Sequence, residues 1–182
     1  MITHLPLRSW SRDEFRLMEQ TGLVRPHERA ELVEGSVVTR PCDDTRHDAA
    51  ASHLEQALAG TFADCTVARG ATLEPGNASV LQVDLVVRDP MGELILVAEV
   101  SSAVTRAYDH HEKASLYAWS GAPEYWLLDL EAGRLEVHRR PAHSRRRPWG
   151  WGYQGVAFLA LDDEVRPLHG QHPLKVEDLF TP

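Results

Sequence analysis

The sequence predicts one α/β domain built on a mixed β-sheet flanked by helices, and three observations carry this. Short apolar and β-branched runs of strand length recur along the chain, Leu94 to Val100 foremost. Separate segments show helical spacing with start and stop signals. Strand-like and helix-like segments are mixed, with no linker and no internal repeat to divide them. A chain of 182 residues, 43% hydrophobic and 25% charged, has the length and composition for a single domain over 1–182 with a sizeable core. Those values exclude a disordered or fibrous chain.

The elements follow in order. Ser11 and Glu14 have capping-box spacing, so a helix starts there, carries Phe15, Leu17 and Met18, and ends near Gly22. Ala30 to Val33 and Ser36 to Thr39 read as two strands turned by Glu34-Gly35. His47 to Ala59 reads as a helix, with Leu54 and Leu58 four apart and Gly60 as its stop. Cys65 to Leu73 and Val80 to Arg88 are strand-like, and Asp89 to Gly92 is a turn. The nearly continuous apolar run Leu94 to Val100 suits a central strand covered on both faces. Tyr108 to Ser120 reads as a helix stopped by Gly121 and Pro123. Glu124 to Asp129 and Arg134 to Arg140 form a hairpin, and Pro141 to Gly152 reads as a loop. Tyr153 to Leu161 is a last strand, and Val176 to Phe180 a short helical piece.

Met1 to Trp10 lacks the apolar run of a signal peptide, and no segment approaches the roughly 20 apolar residues that span a bilayer. The expectation is a cytoplasmic protein that does not enter membranes. Cys42 and Cys65 are too few for a disulfide framework. The net charge of −8 argues against tight nonspecific binding of nucleic acid by the whole surface, so any such binding needs a local basic face.

The chemistry centres on two acids. If Arg88 faces Glu93 across the Asp89 to Gly92 turn, Asp84 faces Val97, and Glu99 points to the same side as Val97. Asp84 and Glu99 are then diagonal neighbours with Cα atoms about 7–8 Å apart, close enough to share a divalent cation. Glu99 stands inside Ile95-Leu96-Val97-Ala98-Glu99-Val100, where an unpaired charge is costly. A metal centre and a buried acid satisfied by arginine or backbone donors both answer that cost. A one-residue slip would separate the two acids onto opposite faces.

The segment Leu96 to Arg106, then Tyr108-Asp109, Lys113, Tyr117 and Gly121 to Asp129, resembles the Uma2 (Uma-two) family within the PD-(D/E)XK nuclease superfamily. Glu31 to Gly35 and Val83 to Val87 fit the same pattern, and the resemblance covers about residues 28–141. It implies a restriction-endonuclease-like fold and a metal-dependent endonuclease that hydrolyses DNA with Mg²⁺ (or Mn²⁺). The family's Asp falls on Asp84 and its Glu on Glu99. The superfamily's usual lysine position is Ser101 here, and the lysine of the following helix falls on Lys113. Val83 stands where the family has proline, and its proline-rich approach to a histidine is poorly kept in Pro41 to His47. His47 therefore reads as a surface or helix-terminal residue. Glu31 matches the acid of the family's first strand, either an outer metal ligand or a surface acid at a strand end.

On its helix Lys113 shares a face with Leu116, Tyr117 and Ser120, at the edge of the core-facing stripe. The alternative is an ordinary solvated lysine. The carbonyl of Val100 completes the expected metal set with Asp84 and Glu99. Arg139, Arg140, Arg145, Arg146 and Arg147, with Trp149 and Trp151 after them, form the candidate DNA-contacting patch, or else a solvated hairpin loop. His110 and His111 are adjacent and outside any HExxH pattern, so they read as surface residues. A homodimer suits cleavage of both strands of a duplex. The competing reading is a catalytically silent nuclease fold that binds DNA or a protein partner.

Overall fold

The computed structural model describes residues 7–42 and 44–180; Met1 to Pro6 of the N-terminal reading, and Asp43 of the approach to His47, lie outside them. It contains α1 (Arg12–Gln20), β1 (Glu28–Val33), β2 (Ser36–Pro41), α2 (Thr45–Thr61), β3 (Thr66–Leu73), β4 (Leu81–Arg88) and β5 (Leu94–Ser101). Then come α3 (Arg106–Tyr108), a π-helical turn (Asp109–Lys113), α4 (Ala114–Trp119), β6 (Glu124–Asp129), β7 (Arg134–His143) and β8 (Trp151–Leu159). The short strands β9 (Glu164–Val165) and β10 (Leu174–Lys175) and a 3-10 turn (Glu177–Leu179) end the chain. The fold class is the expected one: a mixed α/β architecture with a six-stranded sheet in the order β3-β4-β5-β6-β7-β8. Among the described residues, no helix is long and apolar enough to cross a membrane.

The chain divides into two compact units. The smaller is Met1–Cys42 with Thr72–Gln82. Here the Ser11 hydroxyl accepts from the Glu14 backbone N–H, and the Glu14 carboxylate accepts from the Ser11 backbone N–H, which closes the capping box of α1. β1 and β2 pair antiparallel through a turn in which Glu34 (φ 45°) and Gly35 (φ 79°) are both left-handed. At Gly35 the left-handed backbone would strain any side chain, and a Cβ would also force the Ser9 hydroxyl aside, so glycine is favoured. Phe15, Ala30, Leu32 and Val80 form this unit's core. The Arg12 guanidinium donates to the carbonyls of Glu74, Pro75, Gly76 and Ser79, which ties α1 to the Thr72–Gln82 segment. Glu31 is buried on β1, where its carboxylate accepts from the Gln82 backbone N–H at 2.9 Å.

The larger unit is Asp43–Ala71 with Val83–Pro182. Period-two alternation gives its sheet two unlike faces. Leu85, Val87, Leu96, Ala98, Val100, Trp126, Leu128, Leu135 and Val137 share the apolar face and pack in one cluster with Ala50, Ala51, Leu54 and Leu58 of α2. The opposite face carries Glu99, Ser101, Tyr125, Asp129, Glu136 and His138, all buried. β5 reads as continuously apolar because both of its faces are covered.

Three boundaries differ from expectation. α2 runs through Gly60 to Thr61 because Leu58 and Thr61 are buried, and Gly60 lies exposed in an ordinary helical turn. The loop expected over Pro141 to Gly152 is shorter, Ser144 to Gly150, since β7 extends to His143 and β8 starts at Trp151. The expected single helix after β5 is split by the π turn. Leu54 is fully buried between α2 and the sheet. Leu54→Ala is expected to cost about 2–5 kcal/mol, read as a lower chemical-denaturation midpoint with an unchanged slope.

Candidate metal centre

β4 and β5 bring the two acids together, by a register other than the expected one. The structure pairs Val86 with Val97 and Leu85 with Ala98, with an irregularity between Val87 and Arg88 near the turn. Continuing that pairing sets Asp84 opposite Glu99 itself rather than opposite Val97. The slip is two residues, so both acids still belong to one face. Beyond Leu85 and Ala98, side chains take over inter-strand hydrogen bonding. The Val100 backbone N–H donates to Asp84 Oδ2 at 2.9 Å, and the Asp84 N–H donates to Glu99 Oε2 at 3.3 Å.

Two further elements supply partners. From the segment after β5, Lys113 Nζ donates to Glu99 Oε1 at 2.8 Å and lies 4.0 Å from Asp109 Oδ1. The Tyr117 hydroxyl donates a short hydrogen bond to the same Glu99 oxygen. From the first turn of α2, His47 Nε2 pairs with Asp84 Oδ2 at 2.9 Å. Asp109, Lys113 and Tyr117 are four residues apart, but the π turn widens the first of these steps.

The electrostatics of the two acids diverge. Burial and the neighbouring charges of Asp84 and Asp109 raise the Glu99 pKa well above the usual carboxylate range, against the opposing pull of Lys113. Burial also works against ionised Asp84. The hydrogen bond and charge of His47, the charge of Lys113 and the Val100 N–H outweigh it, and Asp84 is held well below the usual range. Three buried acids (Asp84, Glu99 and Asp109) thus face the ammonium of Lys113 and the imidazole of His47, which is a cation only when protonated. Hard carboxylate oxygens in a site short of positive charge suit a divalent cation such as Mg²⁺, which needs one or two carboxylates and keeps several waters.

Each remaining expected residue has a definite place. Lys113 is 1% exposed and so is not a solvated lysine. His47 lies in the first turn of α2, the expected helix end, but is buried, contrary to the surface reading. The signal was present: counting from the Asp44 cap, His47 precedes Ala50, Ala51 and Leu54 by three, four and seven, on the buried stripe of α2. Arg139 leaves the candidate DNA patch, because its guanidinium is bound to buried Glu124 at 2.6 Å and 2.8 Å. Arg145 and Arg146 are exposed at the β7–β8 hairpin, while Arg147 and Trp149 are partly buried. Ser115 anchors that hairpin to α4, donating to the Trp151 carbonyl at 2.6 Å and accepting from the Trp149 backbone N–H at 3.3 Å. Trp126 is fully buried in the core. His110 is only partly exposed and contacts Glu136, whereas His111 is exposed as expected.

Comparisons with known proteins bear on the family and the fold. The model of the Uma2 family, described as "Putative restriction endonuclease", matches residues 12–171. No curated protein matches the sequence. A crystal structure described as a putative nuclease belonging to DUF820 from Anabaena variabilis superposes with a TM-score of 0.65 at 18% identity, covering 96% of this chain and 98% of that one. At that identity the likeness establishes the fold.

Lys113→Ala leaves Glu99 buried without its cation, a change expected to cost about 3–5 kcal/mol in metal-free buffer. A raised folded-state pKa gives stability that is present below the unfolded value and lost as pH rises through the folded one. Losing Lys113 raises Glu99 further, so the variant's deficit is expected to be larger at neutral than at mildly acidic pH. Chemical denaturation at both pH values measures it.

Proposed function

Because the chain belongs to the Uma2 family, we propose that it is a divalent-metal-dependent endonuclease that hydrolyses phosphodiester bonds of DNA. The observation that carries this is the buried triad of Asp84, Glu99 and Lys113, joined within hydrogen-bonding range and braced by His47. Asp84, Glu99 and the carbonyl of Val100 would hold Mg²⁺ or Mn²⁺. Such an ion polarises a phosphate and lowers the pKa of a bound water.

The protein's own groups do the rest. His47 and the Val100 N–H fix Asp84 in its ionised form, while Lys113 and Tyr117 orient Glu99. The ammonium of Lys113 meets the negative charge that builds on the phosphate as water adds and the ester bond to the sugar oxygen breaks. The exposed Arg145 and Arg146 provide the local basic face that a chain of net charge −8 needs to hold a polyanion. Two copies about a twofold axis would present two such sites to a duplex.

The test is calorimetric titration of Mn²⁺ into wild type and Asp84→Asn, followed by cleavage assays on single- and double-stranded DNA. Wild type is expected to bind the ion and cut, and Asp84→Asn to lose both, with cleavage reduced by about 100-fold or more. Metal binding without cleavage favours the second reading, a silent nuclease fold that binds DNA or a partner, which the acidic net charge supports. A wild type that binds no metal would leave the carboxylate pair structural.

Charge reversal of Arg145 and Arg146 together is expected to weaken DNA binding and lower its salt slope by about one per arginine. Unchanged affinity and slope would remove the hairpin from the interface.

A further inference from the structure

A second cluster stands on the polar face of the larger unit. Glu136 and His138 are two residues apart on β7, so their side chains share that face. His110 of the π turn covers them, with Nδ1 2.6 Å from Glu136 Oε2. His138 Nε2 lies 3.6 Å from the same oxygen. One ligand atom from each of the three residues falls within 4.8 Å of the others. We propose that His110 Nδ1, Glu136 Oε2 and His138 Nε2 form a binding site for a zinc-class transition-metal ion, separate from the Asp84–Glu99 centre.

Two imidazoles and one carboxylate are the donor set that zinc accepts in three-ligand sites, leaving the fourth position for water or a ligand. Metal–ligand bonds of about 2.0–2.2 Å in tetrahedral array put donor atoms roughly 3.3–3.5 Å apart. The His138–Glu136 separation already meets this, and the His110–Glu136 contact needs to open by under about 1 Å as the metal replaces the shared proton. Imidazole nitrogens also separate this site from the all-oxygen set of the first. They select zinc, cobalt or nickel over magnesium.

A second observation points to a ligand. His138 is 3% exposed, and its Nε2 makes no hydrogen bond among the described residues. A buried ring nitrogen without a hydrogen bond, aimed at a carboxylate, is costly unless something else satisfies it. Glu136 is oriented from its other side, since Oε1 accepts from Arg134 Nη2 at 2.8 Å and leaves Oε2 toward the histidines. The cluster also has an entrance. Arg106, His110, His111, Arg134, Glu136 and Phe158 line an open groove of about 420 Å³, which provides an entry path and room for a fourth ligand. An ion there would tie the π turn to β7, and with it the turn's Asp109 and Lys113.

Zn²⁺ titrated by calorimetry into wild type, Asp84→Asn and His110→Ala tests the site, with circular dichroism and metal-free thermal unfolding as checks of folding. His110 is only partly buried, so its truncation leaves the core intact; His138→Gln is the second ligand variant. Expected are one zinc per chain in wild type and in Asp84→Asn, and affinity weakened more than about 100-fold in both folded histidine variants, since even outer partners of metal ligands contribute 10–100-fold. Mn²⁺ binding should show the reverse pattern, lost in Asp84→Asn and kept in His110→Ala. The proposal is overturned if wild type takes up no zinc, if His110→Ala binds it as tightly as wild type, or if Asp84→Asn abolishes it. None of these zinc results depends on whether the protein cuts DNA.

Discussion

Glu99 stands at the centre of a six-stranded sheet with its carboxylate buried, and the polar face around it is arranged to meet that charge. Lys113 and Tyr117 reach it from the helical segment after β5, and the Asp84 N–H reaches it from the neighbouring strand. Asp84 is buried beside it and needs His47 and the Val100 N–H in turn. An isolated charge in such a place would cost several kcal/mol, so no member of this set can change without unbalancing the others. The apolar face bears the opposite load: α2 against the sheet supplies hydrophobic burial, and the first turn of the same helix delivers His47. Stability and the candidate chemistry share one scaffold, with the chemistry on rigid elements.

Much of this was legible in the sequence, for identifiable reasons. Capping signals and strand-length apolar runs are local, so α1, β5 and β6 fall where residues alone place them. The acid in the middle of β5 announced a buried partner because few other residues explain a charge in that run. Asp84 was legible as its companion only through the parity of the pleat. The pairing differs by two residues from the one read off the turn: Arg88 pairs with Leu94 rather than Glu93, and the irregularity between Val87 and Arg88 adds the second residue. Parity survives a shift of two, so the two acids share a face although they stand directly opposite rather than diagonal.

The remainder depended on contacts that no local pattern carries. The π turn at Asp109–Lys113 inserts a wider step into an otherwise helical segment, and nothing in DHHEK marks it. It carries His110 to β7 and Lys113 to β5 from a single turn, so a stretch that reads as surface histidines contributes to two buried clusters. Arg139 looked like one of a basic run until its strand partner, Glu124, drew it inward. His47 does lie at a helix end, but its place on the buried stripe of α2 turns it inward to Asp84 rather than to the surface.

Asp84 and Glu99 are proposed to form a metal centre, and locating the ion itself decides the matter. A crystal soaked with Mn²⁺ and measured near the manganese absorption edge would place the metal by its anomalous signal. A peak is expected between the Asp84 and Glu99 carboxylates, bonded to oxygen from both side chains. A crystal that shows Mn²⁺ elsewhere, or none, with Lys113 and His47 holding the two acids unchanged, would contradict it and make the buried pair a structural element of the sheet.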